Sequence, residues 1–526
     1  MRSIFTLLFV LCLLPSGFAQ TTSIVPAPES VKLINGKSLK LKQIKYFCQP
    51  DQEYLIRNFI SELHNFGFNL PEPKKSNVNK ANLIFRKTDH ITGNEEYSLI
   101  ITQKEITLEA LTDAGLFYGL QSLVQLAVDG TGRSGLHLPR GTIQDKPRFG
   151  WRGLMLDESR HFFGKEKVKQ LLDWMAYYKL NRFHWHLTDT PGWRLEILKY
   201  PKLTTIGGKG NFLDANAPAA FYTQKDIKEI IQYATERFIE VVPEIDMPGH
   251  AAAANRAYPE YSGGGSEKYP DFTFNPGKEE TYRFLTDILK EVAQLFPSKY
   301  IHLGGDEVHF GNQQWNTNPE VMTLMQKLQL TNLQDVEFYF IRRMADSVNK
   351  LHKTMIGWDE IVTAGIPANK CIPMWWRQDK PEQLNLALER GYHTILCPRI
   401  PLYFDFVQSN THHSGRYWGK EYAPLEKILG FQQLYNAPLT KYPNLIDGIQ
   451  TNIWTETIDT NERLDFMTFP RIAALAEVAW GKNPAPDYSE FIRRLQPSFR
   501  LYREKRITYF DPEHPDLTPE VVGRTK

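Results

Sequence analysis

From Gly150 onward, short apolar runs alternate with segments of helical periodicity, and this alternation limits the possible folds more than any other feature of the chain. Eight such runs occur, at Gly153–Leu156, Arg182–Leu187, Ile239–Pro243, Tyr300–Leu303, Thr354–Ile356, Cys371–Met374, His393–Cys397 and Gly448–Ile453. Strands that alternate with helices in this way predict a closed parallel (β/α)8 barrel, or TIM barrel, over residues 147–485. An open doubly wound sheet is the alternative. It usually carries a phosphate-binding loop, and no GxGxxG or Walker pattern follows any of the runs.

Carboxylates and indoles follow most of the predicted strands. In a barrel enzyme the C-terminal ends of the strands meet at one face, so these side chains are expected to share a pocket. Carboxylates and arginine bind hydroxyl groups by hydrogen bonds, and indole faces cover the apolar side of a sugar ring. The sequence therefore predicts an acidic pocket with indole walls that suits a neutral polyhydroxylated ring.

The segment His302–Val308 joins an apolar strand to two glycines and then to two adjacent acids, Asp306 and Glu307. A Gly-Gly pair permits close backbone approach or unusual dihedral angles. Two acids in one cleft are differentiated when one has a raised pKa and the other stays charged. We expect this pair to be the centre of the site.

Composition excludes several classes of function. The chain has 526 residues and a formal net charge of +2, which gives no indication of nucleic-acid binding or of an anionic membrane partner. No run after the N-terminus predicts a transmembrane segment or membrane anchor. Cys48, Cys371 and Cys397 allow one disulfide at most, and their spacing does not suggest zinc. The sequence predicts no metal and no cofactor, and it leaves the oligomeric state open.

The ends of the chain have their own patterns. Residues 1–19 have the basic start, short apolar run and small residues of a secretory signal peptide, so we expect export to the periplasm or exterior of a bacterium. Residues 20–146 predict a small α+β domain, with strands at 81–85, 97–102 and 105–109, a helix at 113–127, and linker segments at 130–135 and 139–141. Residues 486–526 predict a C-terminal helix and a polar tail.

The motifs at the strand ends resemble those of family 20 glycoside hydrolases, the β-N-acetylhexosaminidases. The matching segments are GLMLDESRHF, FHWHLTDTPGW, VVPEIDMPGH, HLGGDEV, GWDE, the Trp375 run, Tyr-x-Asp at 403–405 and WTE at 454–456. Gly115–Leu123 is similar to part of the domain that precedes the barrel in that family. The resemblance implies an exo-acting, retaining enzyme that removes terminal N-acetyl-β-D-hexosamine from glycans by substrate-assisted catalysis.

The resemblance also implies roles for individual residues. Glu307 would be the general acid/base, Asp306 would hold the substrate's 2-acetamido group, and Tyr403 would donate a hydrogen bond to the acetamido oxygen. The implied substrate-binding set is Arg160, Asp189, His250, Trp358, Trp375, Asp405, Trp454 and Glu456. Within it, Asp189 and His250 would orient the arginine and tune Glu307. Because neighbouring side chains on a strand point in opposite directions, we expect Trp375 on the pocket wall and Trp376 away from it.

Two other classes of protein stay open at this point. A metal-dependent amidohydrolase is also a barrel and has a His-x-His pair, a spacing present in His184-Trp185-His186. That pair lies within the second predicted strand, however, and the eighth strand ends in Trp-Thr-Glu without the expected metal-binding Asp. A glycan-binding barrel without activity is the second alternative, and the intact Asp306, Glu307 and Tyr403 argue against it.

Overall fold

The computed structural model describes residues 22–130, 132–483 and 485–524. The predicted signal peptide lies outside the described residues. Within them the strands form a seven-stranded sheet, a closed eight-stranded barrel and a two-stranded hairpin. A search of the described helices finds none long and apolar enough to cross a membrane.

The N-terminal sheet has the strand order β1-β7-β5-β6-β4-β2-β3. Its strands are β1 (Ser30–Leu41), β2 (Lys45–Phe47), β3 (Lys74–Lys75), β4 (Leu83–Lys87), β5 (Tyr97–Ile101), β6 (Ile106–Ala110) and β7 (Leu136–Asp145). Two helices accompany it, α1 (Glu53–Asn65) and α2 (Asp113–Asp129). The three predicted strands and the predicted helix are confirmed as β4, β5, β6 and α2.

The predicted linker at residues 139–141 is wrong, because this segment lies inside β7. β7 pairs with both β1 and β5, and its register with β1 shifts between Arg140 and Leu138. Pro139 falls at this shift, where its missing N–H group costs no ladder hydrogen bond. Gly141 lies so close to β1 that a Cβ atom would approach the Lys32 carbonyl oxygen to 2.3 Å. A proline and a glycine here mark an irregular strand and not a connection.

The barrel confirms the fold class predicted from the alternation of strands and helices. Its strands are β8 (Trp151–Asp157), β9 (Arg182–His186), β10 (Glu240–Glu244), β13 (Tyr300–His302), β14 (Thr354–Trp358), β15 (Cys371–Trp375), β16 (Thr394–Leu396) and β17 (Ile446–Ile453). All neighbouring pairs are parallel, and β17 pairs with β8 to close the ring. The hairpin strands β11 (Ser262–Gly264) and β12 (Thr273–Phe274) lie between β10 and β13 in sequence.

Helices lie between and after the barrel strands. They are α3 (Lys165–Tyr177), α4 (Lys202–Thr205), α5 (Gln224–Thr235), α6 (Ala252–Ala257), α7 (Glu279–Leu295), α8 (Pro319–Leu328), α9 (Leu333–Lys350), α10 (Pro381–Glu389), α11 (Arg399–Leu402), α12 (Leu425–Leu429), α13 (Phe431–Leu434), α14 (Asn436–Lys441), α15 (Asn461–Thr468) and α16 (Arg471–Trp480). In α5, a capping box between Thr223 and Asp226 starts the helix, and Ile227, Ile230 and Ala234 are its buried stripe. The predicted C-terminal helix is confirmed as α17 (Tyr488–Glu504).

Buried polar contacts join the N-terminal sheet to the barrel. The Lys179 ammonium lies 2.8 Å from Asp145 Oδ2, and both side chains are fully buried. The same carboxylate accepts hydrogen bonds from the Tyr97 hydroxyl at 2.7 Å and from the Trp480 indole at 2.8 Å. These contacts hold the sheet at the side of the barrel and leave the C-terminal ends of the barrel strands free.

Candidate active site

The turn after β13 presents two adjacent carboxylates at the C-terminal end of the barrel. Gly304 and Gly305 have positive φ angles of 66° and 88°, and Glu307 also lies in the left-handed region with φ of 53°. A Cβ atom on Gly304 would lie 1.8 Å from Oδ1 of Asp246. Glycine is required there because the backbone combines a left-handed conformation with a close approach. The Gly-Gly pair thus fixes the direction in which Asp306 and Glu307 leave the strand.

The two carboxyl groups lie in different environments although they are neighbours in sequence. The Asp306 side chain is 11% exposed and that of Glu307 is 34% exposed. The pKa of Asp306 is raised to about 6, mainly by burial; His250 lowers this pKa and the negative charge of Glu307 raises it. The structure therefore separates a buried acid from a neighbour that solvent reaches.

Arg160, Asp189 and His250 form a chain of alternating charges behind the carboxylate pair. Arg160 Nη1 lies 2.7 Å from Asp189 Oδ2, and His250 Nδ1 lies 3.0 Å from Asp189 Oδ1. His250 Nε2 faces Asp306 Oδ2 at 3.5 Å and Glu307 Oε2 at 3.9 Å. Asp189 does not line the cavity in front of the carboxylate pair. Arg160 and His250 do line it, and both contact Asp189.

Four indoles and one phenol supply the aromatic surface of the cavity, namely Trp358, Trp376, Trp418, Trp454 and Tyr403. Trp376 stacks on Tyr403 with ring centroids 6.2 Å apart and an interplanar angle of 12°. The centroids of Trp358 and Trp454 are 5.8 Å apart. Burial raises the pKa of Tyr403 well above its usual value, so the hydroxyl stays neutral and can donate a hydrogen bond.

The prediction that Trp375 lines the pocket and Trp376 points away is wrong. The Trp375 indole donates to the Lys380 carbonyl, and its ring packs against Tyr435. Side chains do alternate along β15, but in the opposite phase: Met374 and Trp376 join the apolar cluster that contains the pocket wall, whereas Trp375 joins the main core. Both faces of a barrel strand are buried, so hydrophobicity alone could not reveal the phase.

Arg416 connects Asp405 and Glu456. Its Nη2 lies 2.5 Å from Glu456 Oε1, and its Nε contacts Asp405. Glu456 lines the inner cavity, whereas Asp405 is 1% exposed and lies behind Arg416. Burial raises the pKa of Asp405 to about 7, although the guanidinium of Arg416 lowers it. The guanidinium also lies 4.5 Å from the ring centre of Trp418.

These side chains surround a cavity that opens to solvent. It is lined by Arg160, His250, Asp306, Glu307, Trp358, Trp376, Arg399, Tyr403, Arg416, Trp418, Trp454 and Glu456. Sequence reasoning missed Arg399, Arg416 and Trp418, because they lie on irregular segments after β16 with no periodic pattern. The sequence signal that could have identified them is their residue type, because arginine and tryptophan are the side chains expected in a pocket of this kind. A wider groove of about 1720 Å³ adjoins the cavity and shares Glu307 with it.

The His-x-His pair of β9 points into the barrel below the cavity. His184 Nε2 lies 3.0 Å from Glu244 Oε2, and His186 Nδ1 lies 2.5 Å from the same oxygen. His184, Glu244 and His302 offer ligand atoms within 4.8 Å of one another. The opposite nitrogen of His186 faces Asp189 Oδ2 at 3.0 Å. Both histidines thus contact Glu244, and His186 also contacts Asp189, which in turn contacts Arg160 and His250 of the pocket.

Comparison with known families covers most of the chain. The family model "Glycosyl hydrolase family 20, catalytic domain" matches residues 149–483, and the model "Glycosyl hydrolase family 20, domain 2" matches residues 21–146. A β-hexosaminidase of Porphyromonas gingivalis is 36% identical over 447 residues, which cover 82% of this chain and 57% of that protein. One of Akkermansia muciniphila is 31% identical over 463 residues, which cover 84% of this chain and 91% of that protein.

Solved structures agree with the sequence relatives. The exo β-N-acetylglucosaminidase of Vibrio harveyi, solved with N-acetylglucosamine, superposes with a TM-score of 0.84 at 30% identity, covering 93% of this chain and 78% of that one. The β-N-acetylhexosaminidase of Bacteroides fragilis gives 0.80 at 32% identity, covering 92% and 96%. These matches do not favour the amidohydrolase or the inactive barrel. The chain belongs to glycosyl hydrolase family 20.

Proposed function

We propose that this protein is an exo-acting, retaining β-N-acetylhexosaminidase that removes terminal N-acetyl-β-D-glucosamine or N-acetyl-β-D-galactosamine from glycans. The observation that carries the proposal is the placement of Asp306 and Glu307 side by side at the mouth of an indole-walled cavity. Adjacent carboxylates on one turn can serve a leaving group and a neighbouring substituent of the same sugar. The indoles around this cavity, together with its carboxylates and Arg160, suit one sugar ring and its acetamido group.

The substrate's own amide supplies the nucleophile in this proposal. Its carbonyl oxygen attacks the anomeric carbon while Glu307 protonates the departing glycosidic oxygen, which gives an oxazolinium-like intermediate. Glu307, now a carboxylate, then removes a proton from water as the water adds to the anomeric carbon from the face that the leaving group vacated. Two inversions at this carbon give net retention.

The surrounding residues take the roles that their positions allow. Ionised Asp306 stabilises the positive charge that develops on the acetamido group, and the neutral Tyr403 hydroxyl donates to its oxygen. Trp358, Trp376 and Trp454 cover the apolar faces of the ring and of the acetamido methyl. Arg160 and Glu456 bind outer hydroxyls, with Arg160 held by Asp189. Asp405 contributes through Arg416.

The proposal is tested by comparing an aryl N-acetyl-β-glucosaminide with the corresponding β-glucoside. The glucoside lacks the internal nucleophile, so we expect turnover of the N-acetyl substrate only. Equal turnover of both substrates would contradict participation by the acetamido group. A panel of chitin fragments, N- and O-glycans, milk oligosaccharides and peptidoglycan fragments then identifies the natural substrate class.

The role of Glu307 is tested by Glu307→Gln, which should lower kcat by ~10²- to 10⁴-fold, the usual contribution of a general acid. The loss should be smaller for an aryl leaving group of low pKa, because such a group departs without full protonation. Asp306→Asn should lose activity with every leaving group, since its task is the charge on the intermediate. Equal losses of Glu307→Gln with all leaving groups would argue against the acid role.

We further propose that the protein is exported to the periplasm or exterior of a bacterium. The basic start and the apolar run Ile4–Leu14 support this, followed by small residues up to Ala19. N-terminal sequencing of the protein from a fractionated bacterial host should give a mature form that begins near Gln20. An unprocessed N-terminus on protein from the cytoplasm would contradict the proposal.

A further inference from the structure

Glu244 is a carboxylate at the end of β10 that is fully buried inside the barrel. Its Oε1 accepts a hydrogen bond from the Trp358 indole at 3.1 Å. Its Oε2 lies 2.5 Å from His186 Nδ1 and 3.0 Å from His184 Nε2. A buried carboxylate is costly unless it has a cationic partner and hydrogen-bond donors. The proposed chemistry uses neither Glu244 nor these two histidines directly.

His186 is the cationic partner on geometric grounds. Its Nδ1 faces Glu244 and its Nε2 faces Asp189 Oδ2 at 3.0 Å, so both ring nitrogens lie against carboxylate oxygens and both must donate. His184 differs, because its Nδ1 accepts from the Gln450 amide at 3.0 Å and only Nε2 is left to donate. The pKa directions agree: Glu244 and Asp189 raise the pKa of His186 well above its usual value despite burial, whereas burial lowers that of His184 to about 4.

The chain of contacts continues from His186 to the catalytic pair. Asp189 Oδ2 also accepts from Arg160 at 2.7 Å, and Asp189 Oδ1 faces His250 Nδ1 at 3.0 Å. The opposite nitrogen of His250 faces Asp306 and Glu307. Charges therefore alternate in sign along one path from the barrel interior to the reacting groups.

We propose that Glu244 and His186 are positioning residues for the hydrolysis: a buried carboxylate–imidazolium pair that fixes the orientation of Asp189 and, through it, of Arg160 and His250. Glu244 also fixes the indole of Trp358, one wall of the cavity. Neither residue lines the cavity, so both act through others. The proposal rests on the proposed hexosaminidase activity and adds the residues that hold its machinery in place.

The charged groups around this path decide the expected pH dependence. His186 is faced by Glu244, Asp189 and Asp157, and by the guanidinium of Arg160 at 3.5 Å from its Nε2. Glu244 is also faced by His184 and by His302, whose Nδ1 lies 2.9 Å from its Oε1. His250 is faced by Asp189, Asp246, Asp306 and Glu307. Removing the charge of Glu244 takes away the first carboxylate and lowers the pKa of His186. The imidazolium would then be lost at a lower pH than in the native protein, and activity should be lost with it.

The test compares Glu244→Gln and His186→Gln with the matched control His184→Gln. His184 is as buried as His186 and contacts the same oxygen of Glu244, but its other contact is Gln450 and not Asp189. Melting temperature, kcat and KM are measured for an aryl N-acetyl-β-glucosaminide from about pH 5 to about pH 9. The native enzyme is assayed first. If it does not hydrolyse this substrate, the proposed hexosaminidase function is contradicted.

With native activity established, we expect kcat/KM to fall roughly 10- to 100-fold in Glu244→Gln and in His186→Gln. A loss of this size is usual when a residue that orients a functional side chain is replaced. The deficit of the Glu244→Gln enzyme relative to the native enzyme should shrink toward low pH, and His184→Gln should stay within about 3-fold of native at a similar loss of melting temperature. Parallel losses in His184→Gln and His186→Gln, or a Glu244→Gln profile of native shape, would show a merely structural role and overturn the proposal.

A measurement on the native protein covers the case in which a variant does not fold. Nitrogen-15 NMR of imidazole-labelled protein near pH 8.5 separates imidazolium from neutral rings. We expect two imidazolium signals to persist, from His186 and His250, whose pKa values are raised. A His186 ring that is neutral at this pH would remove the charged link between Glu244 and Asp189 and overturn the proposal.

Discussion

At the scale of single residues, environment and not residue type distinguishes the two acids. Asp306 lies against His250 in a buried position, while Glu307 faces the wider groove. The raised pKa of Asp306 is therefore a cost of placing a carboxylate where a cationic intermediate will form. In the proposed reaction the intermediate's positive charge offsets this cost, so the site is complementary to the charged intermediate and not to the free enzyme.

The first residue-scale prediction concerns pH. Since the proposed reaction requires an ionised Asp306 and the pKa of this group is about 6, kcat/KM should fall as pH decreases through about 6. The folded-state pKa is raised above the unfolded value, so ionisation of Asp306 weakens the fold: this penalty is absent below about pH 4 and is fully present above about pH 6. Asp306→Asn should therefore raise the free energy of unfolding near pH 7.5 by about 1–3 kcal/mol and change it little near pH 4.

Denaturant unfolding of the native protein and of Asp306→Asn at the two pH values provides the measurement. An asparagine variant that is less stable near pH 7.5 would show that the buried carboxylate is favourable in the free enzyme. That result would contradict the raised pKa.

The second residue-scale prediction concerns the two adjacent indoles. Trp376→Ala should raise KM and lower kcat/KM by roughly 10- to 100-fold, because the ring stacks on Tyr403 at the cavity wall. Trp375→Ala should mainly destabilise the protein, by about 3–5 kcal/mol, since its ring lies in the main core. Kinetics and unfolding of both variants decide the matter, and the reverse pattern would place Trp375 in the pocket.

Sequence reasoning succeeded for residues whose position follows from the barrel rule. Arg160, His250, Trp358, Trp454 and Glu456 lie just beyond strand ends or at them, and strands could be located from their apolar runs. To predict which of Trp375 and Trp376 lines the pocket, one must know which side of β15 faces the barrel axis. To place Arg416 and Trp418 in the pocket, the path of an irregular loop would have to be known, and no local sequence pattern indicates that path.

At the scale of elements, the turn after β13 is the feature that sets the catalytic geometry. Gly304 combines φ of 66° with a close approach to Asp246, whereas Gly365 has φ of 75° with no atom within 4 Å of an added Cβ. The two glycines therefore share the conformational requirement and differ in the available space.

Gly304→Ala should abolish most of the activity, because the new methyl group must displace Asp246 or the backbone that carries Asp306. Gly365→Ala is the matched control and should cost only about 1–2 kcal/mol of stability, the penalty for a left-handed alanine, with little change in kcat/KM. The measurements are kcat/KM and unfolding free energy for both variants. A Gly304→Ala enzyme with nearly native activity would contradict the steric role of this turn.

Elements with a regular period were predictable, and irregular ones were not. The eight barrel strands and α2 have uniform apolar patterns. β1 and β7 were missed because β1 is exposed continuously over residues 34–38 and so has no period of two there, and β7 carries Pro139 and Gly141 at its irregular register. Their pairing is set by contacts distant in sequence.

At the scale of the whole molecule, the N-terminal sheet and the barrel share buried polar groups. The pair formed by Lys179 and Asp145 has no exposed side-chain surface, and a second buried contact joins Arg152 to Glu95 at 2.7 Å. Charges placed in such an interface are costly to separate, so the sheet and the barrel are expected to unfold together.

Lys179→Met should lower the free energy of unfolding by about 3–5 kcal/mol, because Asp145 is left buried without its cationic partner. Lys199→Met is the control: Lys199 is 58% exposed and pairs with Asp287 on the surface, so its loss should cost less than about 1 kcal/mol. Denaturant unfolding of both variants is the measurement. Equal effects would contradict a coupling of the sheet to the barrel through Lys179.

The most direct measurement uses aryl β-glucosaminides that carry acetyl, fluoroacetyl, difluoroacetyl and trifluoroacetyl groups on the 2-amino nitrogen. Each fluorine withdraws electron density from the amide oxygen and makes it a poorer nucleophile, with little change in size. If the substrate's amide attacks the anomeric carbon, kcat should fall steeply along the series. A kcat that is insensitive to the number of fluorines would mean that another group attacks, and participation of the acetamido group would be refuted.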